Sequence, residues 1–178
     1  MTATRIRLHV NAPPATVYGA LLDPRTVQAW MVPTGMTSHV HDFDAREGGA
    51  FRISLTYDAP TGTGKTTAQT DTHHGRFVKL APNEQVVEEV EFETDDPALR
   101  GEMTITFTLT EADGGTDILA VHAGLPPGLS SADNVTGWRM SLAKLAALVE
   151  GRHRHGQTPG PVPAGRDPLR LAQSLWPN

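Results

Sequence analysis

Apolar and polar residues alternate with a period of two along most of this chain, and only past residue 130 does a sustained helical period replace it. Thr4 to Val10 sets Ile6, Leu8 and Val10 against Arg5, Arg7 and His9, the pattern of a half-buried strand. Asn11 and Pro13-Pro14 break that run. Proline is tolerated in a first helical turn, so Pro14 to Leu22 is predicted as a short helix burying Val17, Leu21 and Leu22, with a second from Pro24 to Trp30. Pro33 and Gly35 end the pair.

Strand patterns come next. His39 to Asp44 leads through Glu47-Gly48-Gly49, a hairpin signal, into Phe51, Ile53, Leu55 and Tyr57 alternating with Arg52, Ser54 and Thr56. After a turn at Ala59 to Gly64, Lys65 to Leu80 is polar and Thr-rich before Phe77-Val78, and Ala81-Pro82-Asn83 turns again. Val86 to Glu93 puts Val86, Val90 and Phe92 on one side. Met103, Ile105, Phe107 and Leu109 alternate with threonines, and Asp113-Gly114-Gly115 turns tightly into Thr116 to His122. These are six strands after the paired helices.

Ser131 to Glu150 is the one long helix. Val135, Trp138, Leu142, Leu145 and Val149 recur at steps of three and four on one stripe, which demands a large apolar partner. Ser130 and Asp133 supply capping oxygens, and Gly151 before basic residues supplies the stop. Gly137 costs such a helix about 1 kcal/mol relative to Ala, so its place beside Trp138 predicts close approach of another backbone. Beyond it, residues 152–178 read as a Pro/Gly-rich linker and tail with a short amphipathic helix at 167–176, leaving 1–151 as the single domain.

Composition narrows the function classes. With 178 residues and 38% hydrophobic content the chain suits one domain with a real core, and a net charge of -5 offers no basic stripe for nucleic acid. No window is apolar enough to insert in a membrane, and MTATRIRLHV lacks the apolar segment of a secretion signal, so a cytoplasmic protein is expected. The absence of Cys excludes disulfides and thiolate metal sites.

Several motifs carry chemistry on paper. Ala59 to Thr66, APTGTGKT, differs from a phosphate-binding loop only in Ala59 for the first Gly, yet the residues after Lys65 form a strand pattern, where a phosphate-binding loop must open a helix. His39 and His41 share a strand face and His73-His74 forms another cluster, but neither closes a zinc site without a third ligand; no metal and no cofactor is expected. No Gly-x-Ser-x-Gly frame supports acyl hydrolysis. Glu88 has the parity of Val86, Val90 and Phe92, which aims its carboxyl at the inner face, where it acts as acid or base or pairs with Arg52 or Arg76; a bulge would turn it to solvent instead. His122 shares the parity of Ile118 and Ala120, so it faces a ligand or is a core histidine bonded to backbone.

The order of one strand, two short helices, six strands and a long helix resembles the helix-grip fold of the START-like (SRPBCC) superfamily. VNAPPATVYGALLDPRTVQAWMVP, FDAREGGAFRISL, GRFVKLAPNEQVV, GGTDILAVHAGLP and GWRMSLAKLAALVE carry the likeness across residues 4 to 151, most closely to the branch homologous to the C-terminal domain of the heat-shock-protein-90 ATPase activator. The resemblance implies an α+β fold, a curved antiparallel sheet of about seven strands wrapped around the C-terminal helix, with a cavity between them for apolar or amphipathic small molecules. By parity and that architecture, Trp30, Phe51, Tyr57, Phe92, Phe107, Trp138 and Leu142 line it, with Glu88, His122, Arg52 or Tyr57 orienting a polar end. The expected partner is a hydrophobic or amphipathic small molecule. An enzyme of the polyketide cyclase or aromatase kind, with Glu88 and His122 as catalytic pair, is the alternative, and a module acting on a chaperone ATPase is a third. No sequence feature supports a chaperone partner, and a homodimer stays open.

Overall fold

A computed structural model describes residues 3–59 and 69–153, and among them alternation of branched and aromatic residues with Thr, Arg and Glu builds seven strands. In chain order they are β1 (Ala3–Val10), α1 (Pro14–Leu22), α2 (Pro24–Trp30), β2 (Met36–Phe43), β3 (Ala50–Tyr57), β4 (Thr70–Ala81), β5 (Gln85–Phe92), β6 (Met103–Ala112), β7 (Gly115–Ala123) and α3 (Ser131–His153). All pairings are antiparallel in a single sheet of order β1-β7-β6-β5-β4-β3-β2. The fold is the expected α+β helix-grip architecture.

Local chemistry sets the boundaries. Both short helices begin with proline, and the Asp23 carboxylate caps α2 by accepting from the Arg25 N–H at 2.9 Å. Asp113 and Gly114 take φ of 49° and 75° and join β6 to β7 in a two-residue turn, since Ala112 pairs with Gly115. Bulges interrupt β2 between Val40 and Asp42 and β4 between Phe77 and Lys79, and the second leaves Val78 exposed.

The core lies between the sheet's concave face and the helices. α1 packs on β5, β6 and β7, α2 lies against β2, and α3 runs over β1 and against α1 and α2. Trp30, Phe77 and Phe107 are fully buried there, with Leu142, Leu145 and Val149 from α3.

Three sequence expectations are corrected. α3 continues through Gly151 to His153, because glycine stops a helix only when it takes a positive φ, and Gly151 does not. A Cβ on Gly137 would meet only Pro33 Cγ at 3.8 Å, so no backbone is pressed against it. On the α3 stripe Asn134, not Val135, is the first buried position. Residues 60–66 of the APTGTGKT segment and the expected tail helix at 167–176 lie outside the described residues. The first described strand after APTGTGKT is β4, antiparallel to β3, so the strand-to-helix frame of a phosphate-binding loop is missing.

Candidate functional site

Paired residues in an antiparallel sheet share a face, so the register itself sorts the candidates. One row crosses the concave face as Phe77, Glu88, Ile105, His122 and Thr4 on β4, β5, β6, β7 and β1. A second runs Val40, Ile53, His73 and Phe92, and a third Ser38, Leu55 and Asp71. Tyr57 pairs with Met36 at the rim.

Glu88 is the unusual member. Its nearest inner-face neighbours are Phe77 and Ile105 across the sheet and Val86 and Val90 along β5, all apolar and buried. It is 4% exposed. Among the described residues no hydrogen bond or ion pair reaches its carboxyl, and burial pushes its pKa up to about 8. The carboxyl is nevertheless not sealed. Ser38 Oγ is the described side-chain polar atom that is both cut off from water and unpartnered, whereas the Glu88 oxygens keep a little water-accessible surface.

His122 is tied into a chain of buried polar groups. Thr4 Oγ1 donates to Asn134 Oδ1 at 2.7 Å, which leaves the Asn134 Nδ2 to donate to His122 Nδ1 at 3.1 Å. That ordering puts the imidazole proton on Nε2, 3.2 Å from Met103 Sδ. Burial, with a smaller push from His73, lowers the His122 pKa to about 4, so the ring is neutral. Its partner is a side chain, not the backbone expected of a core histidine. Glu88 and His122 flank Ile105 two strand spacings apart, about 9–10 Å between Cα atoms, and share no hydrogen bond.

The aromatic candidates separate into two groups. Trp30, Phe107 and Trp138 pack at centroid distances of 5.9 to 6.5 Å, with the Trp30 Nε1 donating to Ala20 O and the His122 ring edge-on to Trp138 at 5.9 Å. Trp30 and Phe107 expose nothing and Leu142 only 1%, so these three fill the core. Trp138 is only half-buried. Phe43, Phe51 and Phe77 form a second cluster, and the Phe51 ring lies on Gly75, where an added Cβ would come within 2.7 Å of Phe51 Cζ. Tyr57 and Phe92 are half-buried on the concave face.

Arg52 is placed elsewhere. Its guanidinium lies on the outer face, bonded through Nε and Nη2 to Glu93 at 2.8 and 3.0 Å, which holds the Glu93 carboxyl below its usual range. The alternation that points Phe51 inward points Arg52 outward, so it cannot orient a ligand between sheet and helix. It lines instead a widely open depression of about 560 Å³ with Asp42, Asp44 and His74. Arg76 likewise pairs outside with Glu89. His73 faces inward while His74 faces out to Glu91 and Glu93; His39 and His41 stack edge to face at 4.5 Å on the exposed edge strand. Among the described residues no three His, Asp or Glu side chains are grouped to hold a metal, and no helix is long and apolar enough to cross a membrane.

The sequence reading missed Asn134, Thr4 and Ser38. Asn134 was findable: it stands four residues before Trp138 and eight before Leu142, on the same helical stripe.

Comparison with known proteins agrees with this architecture. Residues 11–150 match the family model described as Activator of Hsp90 ATPase homolog 1-like protein. A crystal structure of a Chromobacterium violaceum protein is 34% identical, with a TM-score of 0.75 over 83% of this chain and 96% of that one. The AHSA1 protein from Silicibacter pomeroyi shares the fold at 20% identity and a TM-score of 0.70, covering 85% of this chain and 100% of its own. A protein from Rhodobacter sphaeroides does so at 19% identity and 0.68, covering 84% and 93%. No curated protein matches the chain. With the family model spanning most of its length and the helix-grip fold in place, this chain belongs to the family of Activator of Hsp90 ATPase homolog 1-like proteins within the START-like superfamily.

Proposed function

We propose that the protein binds a hydrophobic or amphipathic small molecule on the concave face, with the Glu88 carboxyl as the polar anchor. One observation carries this reading: an acid buried among Phe77, Val86, Val90 and Ile105 with no partner, yet still in touch with water-accessible space. A fold gains nothing from such a group, because an unsatisfied buried polar atom costs about 1–3 kcal/mol and an apolar residue would pack there without that cost. Half-buried Trp138, Tyr57, Phe92, Leu55 and Val40 offer the apolar surface that would hold the body of the ligand.

Native mass spectrometry of freshly purified protein, followed by organic extraction, tests the proposal. A stoichiometric apolar adduct is expected, and Trp138→Glu is expected to lose it while the circular dichroism of the sheet persists. An empty wild-type protein that also fails to take up any alkyl probe in titration sinks the reading.

A second reading keeps Glu88 as general acid of a cyclase-like enzyme, favoured by a pKa near neutrality. The companion role of His122 finds no support, since both its ring nitrogens are engaged and Ile105 stands between the two groups. A Glu88→Gln variant that turned over a cyclisable polyketone as fast as wild type would end it.

A further inference from the structure

The ligand's head group can be read from the charges that face the site and those that do not; this rests on the proposal that the concave face binds a ligand. Register assigns every inward side chain of the sheet, and among the described residues none is Lys or Arg. Arg5, Arg7, Arg52 and Arg76 all project from the opposite face. The titratable groups with inward register are Tyr57, Asp71, His73, Glu88 and His122, with Glu111 at the exposed end of β6. On the elements packed against Glu88, α1 carries Tyr18 as its titratable group, half-buried near Glu47; β4 carries His73 and Asp71; and β7 carries His122, whose nitrogens are committed. On α3, the Lys144 ammonium is turned to Val32 O at 2.7 Å. Two basic groups border the interior, His73 on β4 and Lys144 on α3, but neither pairs with the Glu88 carboxyl, whose shift comes from burial alone.

We infer that the site selects amphipathic amines, long apolar molecules whose ammonium pairs with the Glu88 carboxylate, over carboxylates and phosphates of the same chain length. An anionic head brought to Glu88 would find no cation, only the single O–H of the protonated acid, and even that donor is lost as Glu88 ionises. An ammonium would instead supply the partner that the buried carboxyl lacks, in a charge-assisted bond roughly twice as strong as a neutral one. The step balances as a proton exchange. Glu88 enters as the neutral acid, leaves its proton to solvent, and the ammonium keeps all three of its own.

Calorimetric titration of the full chain with decylammonium, 1-decanol and decanoate, each below its critical micelle concentration, tests this. At pH 7 decylammonium is expected to bind about tenfold or more tightly than decanoate, the gap that one charge-assisted bond against one unpaired charge produces. Because Glu88 gives up a proton, decylammonium affinity should rise about tenfold per pH unit from pH 6 toward the Glu88 pKa of about 8 and level above it, while decanol affinity stays flat. Buffers of different ionisation enthalpy should report about one proton released per amine bound. Glu88→Gln should bring the amine and alcohol affinities within about threefold of each other and abolish the pH slope. Decanoate binding as tightly as decylammonium, or an amine preference that survives Glu88→Gln, overturns the inference while leaving ligand binding intact. Failure of all three probes to bind overturns the binding proposal itself.

Discussion

Glu88 and His122 titrate in opposite senses on folding, and their contributions to stability can be separated by pH. Glu88 has a folded pKa of about 8 against 4.5 unfolded, so between those values the unfolded chain has shed a proton that the folded one keeps. Its contribution to stability is complete below pH 4.5 and falls by about 1.4 kcal/mol per pH unit until about pH 8. His122, at about 4 folded against 6.5 unfolded, behaves oppositely: its contribution is complete above pH 6.5 and is lost as pH falls toward 4. The two slopes cancel between about pH 4.5 and 6.5, and Glu88 alone remains from about 6.5 to 8. Urea unfolding at half-unit steps should show wild-type stability level and then declining over those windows. Glu88→Gln should remove the decline above 6.5 and expose the His122 slope below it; unchanged curves would mean that the Glu88 carboxyl is hydrated in the folded protein. The sequence left a raised Glu88 pKa as one alternative beside an ion pair, and gave no sign of the His122 shift. Alternation gave the inward direction of both side chains, but it could not say that Glu88 would find no partner or that His122 would find Asn134.

At the scale of elements, polar and apolar devices hold α3 differently along its length. Leu142, Leu145 and Val149 bury its C-terminal half, whereas Asn134 pins the N-terminal half to β1 and β7 through Thr4 and His122. Asn134→Ala strands both partners and should cost about 2–4 kcal/mol in chemical denaturation. Combining it with Thr4→Val should cost less than the two changes summed, because the second removes one of the groups left unpaired. Gly137→Ala should raise stability by about 1 kcal/mol, or about 2–4 °C in Tm by calorimetry, since the new Cβ meets only Pro33. Gly75→Ala should lose about 2–3 kcal/mol or more, as its Cβ would press first on the Glu89 backbone oxygen, then on Phe51 Cζ at 2.7 Å and Val90 Cγ1 at 2.9 Å. The two helix starts were legible because proline fixes φ where a helix begins. The role of Gly137 was not, because a glycine in a helical pattern signals a backbone contact and a tolerated defect with the same letter. Arg52 was legible in part: its own alternation with Phe51 and Ile53 already set it on the polar face, against its assignment as a ligand-orienting group.

For the whole molecule, ligand occupancy and stability are linked. An alkyl ligand at a hundred times its Kd should add about 2.7 kcal/mol, seen as a Tm higher by about 5–10 °C, and Trp138→Glu should abolish that rise. The sheet order also sets a sequence of events in time. β2 to β7 are a chain of neighbouring hairpins whose contacts are local, but β1 closes on β7, with Ala3 opposite Ala123. Loop closure over that separation is a late and slow step, so the meander should form first while β1 waits unpaired. Core substitutions such as Ile53→Val should therefore slow refolding, whereas Ile6→Val in β1 should mainly hasten unfolding. Until β1 docks, the exposed edge of β7 is a template for any other extended chain, so newly made protein is most prone to aggregation in that interval.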